Sequence, residues 1–597
     1  MSTINNESVN QAKKWLGLPG LDPEGKRELE DVLDAAIVGV AESAEELDDR
    51  FYRDLEFGTG GMRGIIGEGR NRINATTIRR ATQGFAEHII ASAAAFGRTQ
   101  AKAVIAFDSR KFSDLFAFET ACVFIENGIE TWLFSRLSAT PLLSWAVRKL
   151  DCDGGVVVTA SHNPRIYNGY KIYDRTGCQC LTDEAAAIIE LIDAVELPEG
   201  IRTAADRYSG SVAGRISAAA AAEPLLHILP AGFEDEFVDE VLGASLRKNT
   251  AADLSVVYTP LNGAGNLPVR RALEKTGVRS VRVVPEQEKP DPDFTTCPYP
   301  NPEKTEALQL GLDLCAELAA AGDAPDVLIG TDPDSDRLGC AVYDGEKYVQ
   351  LSGDQVGILF IDYIVESRLE LGTMPADPAI ITTIVSSPLS GAIAEANNIE
   401  VRKTLTGFKW IGDQINKLEH ELELEPGAGG VQRFIFGYEE SCGYLSAPHA
   451  RDKDAVGASM LLCEAAGYYK SQGKTLLDRL EEIYERYGFY VEALSEFTRP
   501  GEKGMEEIAR DMATAREESS QAKLGQPVIR VTDYANDETG LPVSDVVQYD
   551  LEDGSRVIFR PSGTEPKLKI YYACKGDTRE AAEKTLKALK EAVIALF

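Results

Sequence analysis

Residues 156–173 read "VVVTASHNPRIYNGYKIY", and the fold class of the chain can be predicted by starting from this stretch. Its apolar start predicts a buried strand, and Ser161, His162 and Asn163 follow directly where that strand ends. In α/β sheets, ligands bind beyond the carboxyl ends of the strands. Three adjacent polar residues at that point are therefore predicted to face a ligand.

Strands and helices alternate on both sides of this stretch. "KAVIAFDS" and "TWLFSR" are strand-like, whereas "SDLFAFETACVFIENG" and "TPLLSWAVRKL" have the pattern of helices. Continuous apolar strands between helices predict a sheet that is covered on both faces. The rhythm recurs about twice farther along the chain, so we expect an α/β fold with three similar units.

The two ends of the chain differ from this pattern. The first 55 residues have apolar positions at helical spacing and predict helices. Near the C-terminus, "SRVIFRPSGTEPKLKIYYAC" predicts two paired strands, followed by a helix from about Asp577 that has the spacing of a capping box with Glu580. The last unit is therefore predicted to be a smaller α+β domain.

Length and charge limit the class of protein. The 597 residues are too many for one core and suggest about four domains. Lys and Arg total 62 and Asp and Glu total 95, a net charge of −33 that disfavours nucleic acid and anionic membranes as partners. No apolar run is long enough to span a bilayer, and no signal peptide is recognisable. Ten scattered cysteines are typical of a reducing compartment, so we expect a cytoplasmic protein.

Four apolar strands run straight into loops of small, polar or charged residues. These segments are "GVVVTASHNP", "DVLIGTDPDSDRLG", "RFIFGYEESCG" and "RVIFRPSGTEP", one in each predicted domain. We expect the four loops to converge on a single cleft.

The second loop predicts a metal site. Asp332, Asp334 and Asp336 alternate, so in an extended segment their carboxylates share one face. Oxygen ligands without histidine or cysteine suit Mg²⁺. A calcium loop of the EF-hand type would need glycine and glutamate where this chain has Arg337 and Tyr343, so that alternative is excluded.

The other loops predict a phosphoryl carrier and its substrate contacts. Beside a divalent cation, Ser161 is suited to carry a phosphoryl group. A direct contact between Ser161 and His162 is not expected, because adjacent residues of a strand point in opposite directions. "RPSGTEP" has the composition of an anion cradle, and Glu439 and Ser441 suit neighbouring sugar hydroxyls.

Taken together, "TASHNP", "GTDPDSDR", "GYEES" and "RPSGTEPK" resemble the α-D-phosphohexomutase superfamily, and "LEFGTGGMRG" and "TLTGFKWIG" add to the match. Within it the chain is most similar to bacterial α-phosphoglucomutases of the phosphoglucomutase-2-like branch, from about residue 50 to the end. The resemblance implies four domains around a central cleft, the last one similar to the TATA-binding-protein fold. We predict their bounds as 1–228, 229–345, 346–490 and 491–597.

The resemblance also implies a reaction: a phosphoserine enzyme interconverts α-D-glucose 1-phosphate and glucose 6-phosphate. The implied cofactors are one Mg²⁺ per chain and glucose 1,6-bisphosphate, which is both intermediate and activator. The implied metal ligands are Ser161, Asp332, Asp334 and Asp336. The implied catalytic residues are Ser161, His162, Lys171, Arg63 and Arg337. The implied substrate contacts are Thr406, Gly407, Glu439, Ser441, Lys453, Arg560, Ser562, Gly563 and Thr564.

Several alternatives stay open at this point. Phosphomannomutase, phosphopentomutase and sugar-phosphate hydrolase activities all suit the same scaffold, as does a non-catalytic sugar-phosphate sensor. Some relatives carry a histidine shortly after the sugar-binding glutamate and serine, where this chain has Gly443 and Tyr444. The second proton carrier is therefore left unassigned. The oligomeric state is a separate expectation: a monomer or a weak dimer.

Overall fold

A packed trio of helices opens the computed structural model, which describes residues 5–58, 60–424, 430–499, 504–517, 521–562 and 567–597. The helices are α1 (Asn6–Leu16), α2 (Pro23–Ile37) and α3 (Ala41–Phe51). Trp15, Leu29 and Leu47 are buried between them in a core of their own. The helical prediction for this region is confirmed.

The first sheet is mixed and carries the opening stretch of the sequence analysis in its middle. Its strands are β1 (Phe57–Gly58), β2 (Gly61–Ile65), β3 (Lys102–Phe107), β4 (Glu130–Phe134), β5 (Gly154–Val158), β6 (Tyr167–Asp174) and β7 (Leu226–Leu229). Their order is β1-β2-β6-β5-β3-β4-β7, with β5, β3, β4 and β7 parallel and the others antiparallel. The helices of this unit are α4 (Ala75–Ala95), α5 (Ser113–Glu126), α6 (Thr140–Lys149), α7 (Thr182–Asp193) and α8 (Val212–Ala222). Every residue of β5 is buried, as expected for a parallel strand inside a covered sheet.

The second sheet repeats this plan with five strands. They are β8 (Ser255–Thr259), β9 (Ser280–Val283), β10 (Val327–Thr331), β11 (Leu338–Tyr343) and β12 (Tyr348–Leu351), in the order β12-β11-β10-β8-β9. The accompanying helices are α9 (Phe233–Leu242), α10 (Asn266–Lys275) and α11 (Thr305–Ala320). Strand β10 is parallel to β8 and antiparallel to β11.

The third sheet has four strands, and five helices accompany it. The helices are α12 (Gly353–Leu371), α13 (Leu389–Ala396), α14 (Phe408–Leu424), α15 (Ala455–Lys470) and α16 (Leu476–Tyr487). The strands are β13 (Ala379–Thr383), β14 (Glu400–Thr404), β15 (Phe434–Glu439) and β16 (Gly443–Leu445), in the order β14-β13-β15-β16. Strand β15 is parallel to β13 and antiparallel to β16.

The fourth sheet is antiparallel throughout. Its strands are β17 (Phe489–Thr498), β18 (Val528–Asp533), β19 (Val547–Leu551), β20 (Arg556–Pro561) and β21 (Lys567–Gly576), in the order β17-β21-β20-β19-β18. Helices α17 (Gly504–Arg516) and α18 (Arg579–Ile594) share a core with it. The predicted cap of the last helix is wrong by one residue: Thr578 rather than Asp577 precedes α18 and accepts a hydrogen bond from the backbone N–H of Ala581.

Apolar contacts join the four units. One continuous core runs through the first three, and the fourth docks on the third through Ile384 and Leu405, which pack with Tyr534 and Ile558. The predicted α/β class is confirmed, with three mixed sheets and an α+β unit at the end. Within the described ranges, no helix combines the length and the apolar character that crossing a bilayer requires.

Candidate active site

The four motif loops make the same kind of connection in their sheets. Each connects a strand to its antiparallel neighbour: β5 to β6, β10 to β11, β15 to β16 and β20 to β21. Three of the loops contain a residue other than glycine in the left-handed conformation, namely Ser161, Ser335 and Cys442. Such a residue costs about 1–2 kcal/mol and turns the chain sharply, so that a side chain following a buried strand can point out of the sheet.

Hydrogen bonds between domains hold these loops together. The backbone N–H of Thr140 donates to the carbonyl oxygen of Asp334 over 2.8 Å, which ties the first domain to the second. Arg337 and Gly443 form a β-bridge between the second and third domains. These contacts connect the loops of the first three domains, and the convergence of the fourth loop on the same cleft stays a prediction.

Ser161 and Asp332 are in direct contact, although 171 residues separate them. The Ser161 hydroxyl donates to Oδ2 of Asp332 over 2.7 Å, and only 3% of Ser161 is exposed. His162 Nδ1 lies 3.2 Å from the same hydroxyl oxygen. The expectation that Ser161 and His162 do not meet is therefore wrong, because Ser161 has a φ of 51° and its backbone is not extended.

Asp332, Asp334 and Asp336 offer oxygen atoms that all lie within 4.8 Å of one another, and all three residues are buried. One oxygen of Asp334 and one of Asp336 have no hydrogen-bond partner. An unpaired buried carboxylate oxygen is costly unless a cation neutralises it. The donor set therefore fits a hard divalent cation that prefers oxygen ligands.

The charges around the trio are arranged asymmetrically. Burial, followed by repulsion from Asp334 and Asp336, raises the pKa of Asp332 well above its ordinary value. Burial alone would also raise the pKa of Asp336, but Lys171, Lys453 and Arg337 lower it below its ordinary value. The three carboxyl groups are therefore not equivalent: the lysines and Arg337 favour the charged form of Asp336, whereas burial and its two neighbours disfavour the charged form of Asp332.

Two buried lysines line the other side of the trio. Lys171 Nζ donates to Asp334 over 2.7 Å and to Asp336 over 3.1 Å, and Lys453 Nζ lies 3.3 Å from Asp336. Burial would lower the pKa of Lys171, but Asp334 and Asp336 raise it above its ordinary value. Both ammonium groups therefore stay charged inside the cleft, where they attract an anionic substrate despite the negative charge of the whole chain.

Arg63 and Arg337 lie at the same cleft. Arg63 is on β2, which pairs with β6, and its Nη1 donates to the side-chain oxygen of Asn163 over 2.9 Å. The backbone N–H of Arg337 donates to Asp332 over 2.9 Å. Burial, then the positive charges of Arg337 and Arg63, lower the pKa of His162 well below its ordinary value, so the imidazole is neutral.

The predicted sugar-binding positions of the third domain lie at strand ends and in turns. Glu439 ends β15 with Oε1 3.9 Å from Lys453 Nζ, and the ring of Phe408 lies 5.6 Å from the same nitrogen. Thr406 and Gly407 immediately precede Phe408, in the turn between β14 and α14. Ser441 lies in the turn between β15 and β16. Among the predicted substrate contacts of the third domain, Lys453 is thus paired with Asp336 of the acidic trio, and Glu439 is linked to the trio through Lys453.

Gly443 and Tyr444 are unsuited to replace the histidine of some relatives. A Cβ atom at position 443 would lie 2.2 Å from Cδ of Lys453, so a side chain there would displace the lysine. Tyr444 is buried, and its hydroxyl donates to the carbonyl oxygen of Gly353. Neither residue supplies the second proton carrier.

The predicted phosphate cradle is described only in part. Arg560 lies near the end of β20, and the backbone N–H of Ser562 donates to the carbonyl oxygen of Lys567 over 2.8 Å. Burial and the nearby charge of Glu440 raise the pKa of Tyr571, whereas the charge and hydrogen bond of Arg560 act in the opposite direction. Arg560 and Glu440 therefore both lie near Tyr571. Gly563 and Thr564 lie outside the described residues.

Two residues that support the site were missed from the sequence. The Thr140 hydroxyl donates to Asp334 over 2.8 Å, and the Arg110 guanidinium donates to carbonyl groups of the Ser161 loop. Arg110 follows β3 in "FDSRKF", a fifth polar segment at a strand end, and that signal was available. Thr140 gave no such signal, because it is a polar residue at the start of an ordinary helix.

The chain is similar to known proteins over most of its length. Four profiles of the phosphoglucomutase/phosphomannomutase family match: alpha/beta/alpha domain I at residues 54–199, domain II at 235–345, domain III at 352–487 and the C-terminal domain at 503–591. A phosphoglucomutase of Staphylococcus epidermidis is 34% identical over 92% of this chain and 96% of its own length. A phosphoglucomutase of Staphylococcus aureus is 33% identical over 91% and 94% of the two chains.

Solved structures support the fold. A phosphoglucomutase/phosphomannomutase family protein from Burkholderia thailandensis has a TM-score of 0.64 at 17% identity, covering 90% of this chain and 97% of its own. The open form of parafusin from Paramecium has a TM-score of 0.64 at 16% identity, covering 90% and 95%. The four-domain arrangement is thus shared with both proteins.

Proposed function

Because the chain belongs to the phosphoglucomutase/phosphomannomutase family, we propose that it interconverts α-D-glucose 1-phosphate and glucose 6-phosphate through a phosphoserine at Ser161 and a glucose 1,6-bisphosphate intermediate. Matches to all four family domains, and relatives named phosphoglucomutase over most of the chain, support the reaction. The observation that carries the mechanism is the 2.7 Å contact between the Ser161 hydroxyl and Asp332 inside the acidic trio.

The metal in this proposal is Mg²⁺, held by Asp332, Asp334, Asp336 and an oxygen of Ser161. When bound, it supplies positive charge that stabilises the negative charge of the transferring phosphoryl group. Arg63 adds charge from the rim of the cleft without contacting the trio.

The chemistry consists of two matched transfers. A sugar hydroxyl oxygen attacks phosphorus, the bond between phosphorus and the Ser161 oxygen breaks, and the hydroxyl proton passes to a neighbouring base. The bisphosphate then presents its other end: the Ser161 oxygen attacks that phosphorus, and the sugar oxygen leaves with a proton. Lys171 and His162 are the proton carriers in this scheme, with the neutral His162 as the base and the charged Lys171 as the acid, since both reach the groups around Ser161.

The substrate is oriented from the far side of the cleft. In this proposal Arg560, Ser562, Gly563 and Thr564 grip the phosphate that is not transferred, and one cradle suits both orientations because the intermediate has a phosphate at each end. Thr406, Gly407, Glu439, Ser441 and Lys453 contact the sugar. Fixing the distal phosphate supplies orientation, and the enclosed cleft keeps water from the phosphoserine.

The test of the carrier is the substitution Ser161→Ala. We expect turnover to be lost while binding of glucose 1-phosphate is retained, since the substrate contacts stay intact. Intact mass after incubation with glucose 1,6-bisphosphate should show one phosphoryl group on wild-type protein and none on the variant. Ser217→Ala, at an exposed position of α8, is the control. Full turnover by the Ser161 variant would refute the mechanism.

Glucose is the proposed sugar because Ser441 follows Glu439 closely in the sequence, and the two residues together suit neighbouring hydroxyl groups of the sugar. Turnover of glucose 1-phosphate, mannose 1-phosphate and ribose 1-phosphate should be compared at equal concentration. Stimulation by a trace of glucose 1,6-bisphosphate distinguishes a mutase from a hydrolase, which would release phosphate without it. A clear preference for ribose or mannose phosphate would overturn the choice of sugar.

The cytoplasmic location and the monomeric or weakly dimeric state stay predictions.

A further inference from the structure

Arg110 contacts the loop of Ser161 through its whole guanidinium edge. Nη1 donates to the carbonyl oxygens of Pro164 and Tyr167, each over 3.1 Å, and Nη2 donates to those of Ser161 and Asn163, the latter over 2.5 Å. The Arg110 side chain thus donates to four backbone carbonyl groups within seven residues. Arg110 is only 2% exposed.

Asp108 is linked to the backbone N–H of Ser161 through Thr159. Its Oδ2 accepts from the Thr159 hydroxyl over 2.6 Å, and the Thr159 oxygen in turn accepts from the backbone N–H of Ser161 over 2.7 Å. Asp108 Oδ2 also lies 3.4 Å from Arg110 Nε. The N–H of Ser161 is therefore held through Thr159, and its carbonyl is held by Arg110.

The second domain covers the exposed side of this arrangement. The ring of Phe294, which is fully buried, lies 5.0 Å from the guanidinium carbon of Arg110. The backbone N–H of Arg165 donates to the carbonyl oxygen of Pro298, in the same proline-rich segment as Phe294. The plane of the guanidinium is thus fixed between the serine loop and a segment of the next domain.

This support matters because Ser161 has a left-handed backbone. A serine with a φ of 51° persists only where its surroundings enforce that conformation. The same conformation brings the hydroxyl within 2.7 Å of Asp332. If the loop relaxed toward extended backbone, the hydroxyl would leave the acidic trio.

We propose that Arg110, supported by Asp108, is a positioning residue that holds Ser161 in the conformation required for phosphoryl transfer. The inference rests on the proposed role of Ser161 as the phosphoryl carrier. Arg110 acts through the four carbonyl groups, and its side chain donates to none of the predicted substrate positions that the structure describes. Its loss should therefore lower kcat and leave KM nearly unchanged.

The first test is Arg110→Lys. Lysine keeps the charge but cannot present a planar fork to four carbonyl groups. We expect kcat to fall by about 100-fold, the effect of a misplacement of about 1 Å in a reacting group, with KM changed by less than about threefold. Arg79→Lys is the matched control: Arg79 is also buried in the same domain, at 7% exposed, but pairs with Glu119 and Asp206. Its kcat should stay within about threefold of wild type.

A second pair of variants tests the same support without altering a charged side chain. Thr159→Val removes the hydroxyl that links Asp108 to the N–H of Ser161, whereas Thr159→Ser retains it. We expect Thr159→Val to lower kcat by about 10-fold or more, with Thr159→Ser near wild type. This rescue by the conservative variant would not arise from a general loss of packing, and it can be measured even if Arg110→Lys does not fold.

The outcomes separate this inference from the proposed function. If phosphorylated wild-type protein turns over and Arg110→Lys matches Arg79→Lys in kcat, the positioning role is refuted and the phosphoserine mechanism stands. Equal activity of the two Thr159 variants would refute it as well. If wild-type protein turns over without ever carrying phosphate on the Ser161 peptide, the proposed mechanism fails, and this inference fails with it.

Discussion

The contact between the third and fourth domains contains two carboxyl groups that share one serine. Asp354, in the first turn of α12, accepts a hydrogen bond from the backbone N–H of Ser387 over 2.7 Å, and the Ser387 hydroxyl donates to Glu492 of β17. Asp354 is 8% exposed. Burial, followed by the charge of Glu492, raises the pKa of Asp354 from 3.8 to about 7.

This shift predicts how the stability of the protein depends on pH. Because the folded pKa lies above the unfolded value, the folded state holds a proton between pH 3.8 and about 7 that the unfolded state releases. The stabilisation is complete below pH 3.8 and is lost as the pH rises through about 7. About three pH units at 1.36 kcal/mol each amount to roughly 4 kcal/mol. This is an upper bound, because opening of the interface would rehydrate the charge.

Asp354→Asn should remove that dependence. The asparagine keeps the acceptor for Ser387 and, like a protonated aspartate, can donate toward Glu492 while carrying no charge. We expect the variant to be more stable than wild type at pH 8, with a thermal midpoint higher by up to about 3 °C for a chain of 597 residues, and to show a much smaller or reversed difference at pH 5.

Thermal unfolding followed by circular dichroism at pH 5, 6, 7 and 8 measures the effect. Asp377→Asn is the control, because it makes the same change of charge at an exposed position of the third domain. If the difference between Asp354→Asn and wild type is the same at every pH, the carboxyl group is not protonated in the folded protein and the reasoning is wrong.

Three further predictions concern the cleft. Thr140→Val removes the hydrogen bond to Asp334 and should raise the Mg²⁺ concentration for half-maximal activity about tenfold, with little change at saturating Mg²⁺; an unchanged Mg²⁺ titration would contradict this. Arg560→Ala should raise KM for glucose 1-phosphate about 10- to 100-fold, because a charged contact to the distal phosphate is lost, whereas an unaltered KM would remove Arg560 from the cradle. Treatment with a chelator should abolish turnover and added Mg²⁺ should restore it; full activity after exhaustive chelation would exclude the metal site.

Much of the site could be predicted because its donors are contiguous in the sequence. Asp332, Asp334 and Asp336 lie within five residues, directly after an apolar strand, so their type and spacing indicated a metal site without tertiary information. The four strand-to-loop junctions were recognisable for the same reason. The relation between Ser161 and His162 was not predictable, because it depends on one left-handed backbone angle that the neighbouring residue types do not specify.

The amino-acid sequence alone determined the alternation of strands and helices, the four loops and the chemical nature of their side chains, since each of these is a local pattern. Which groups meet depends on tertiary packing: Thr140 contacts Asp334, 194 residues away, and Arg110 contacts the loop of Ser161. Hydrogen bonds between distant segments produce no periodicity in either segment. They become defined only when the packing of separate domains fixes the distance between donor and acceptor.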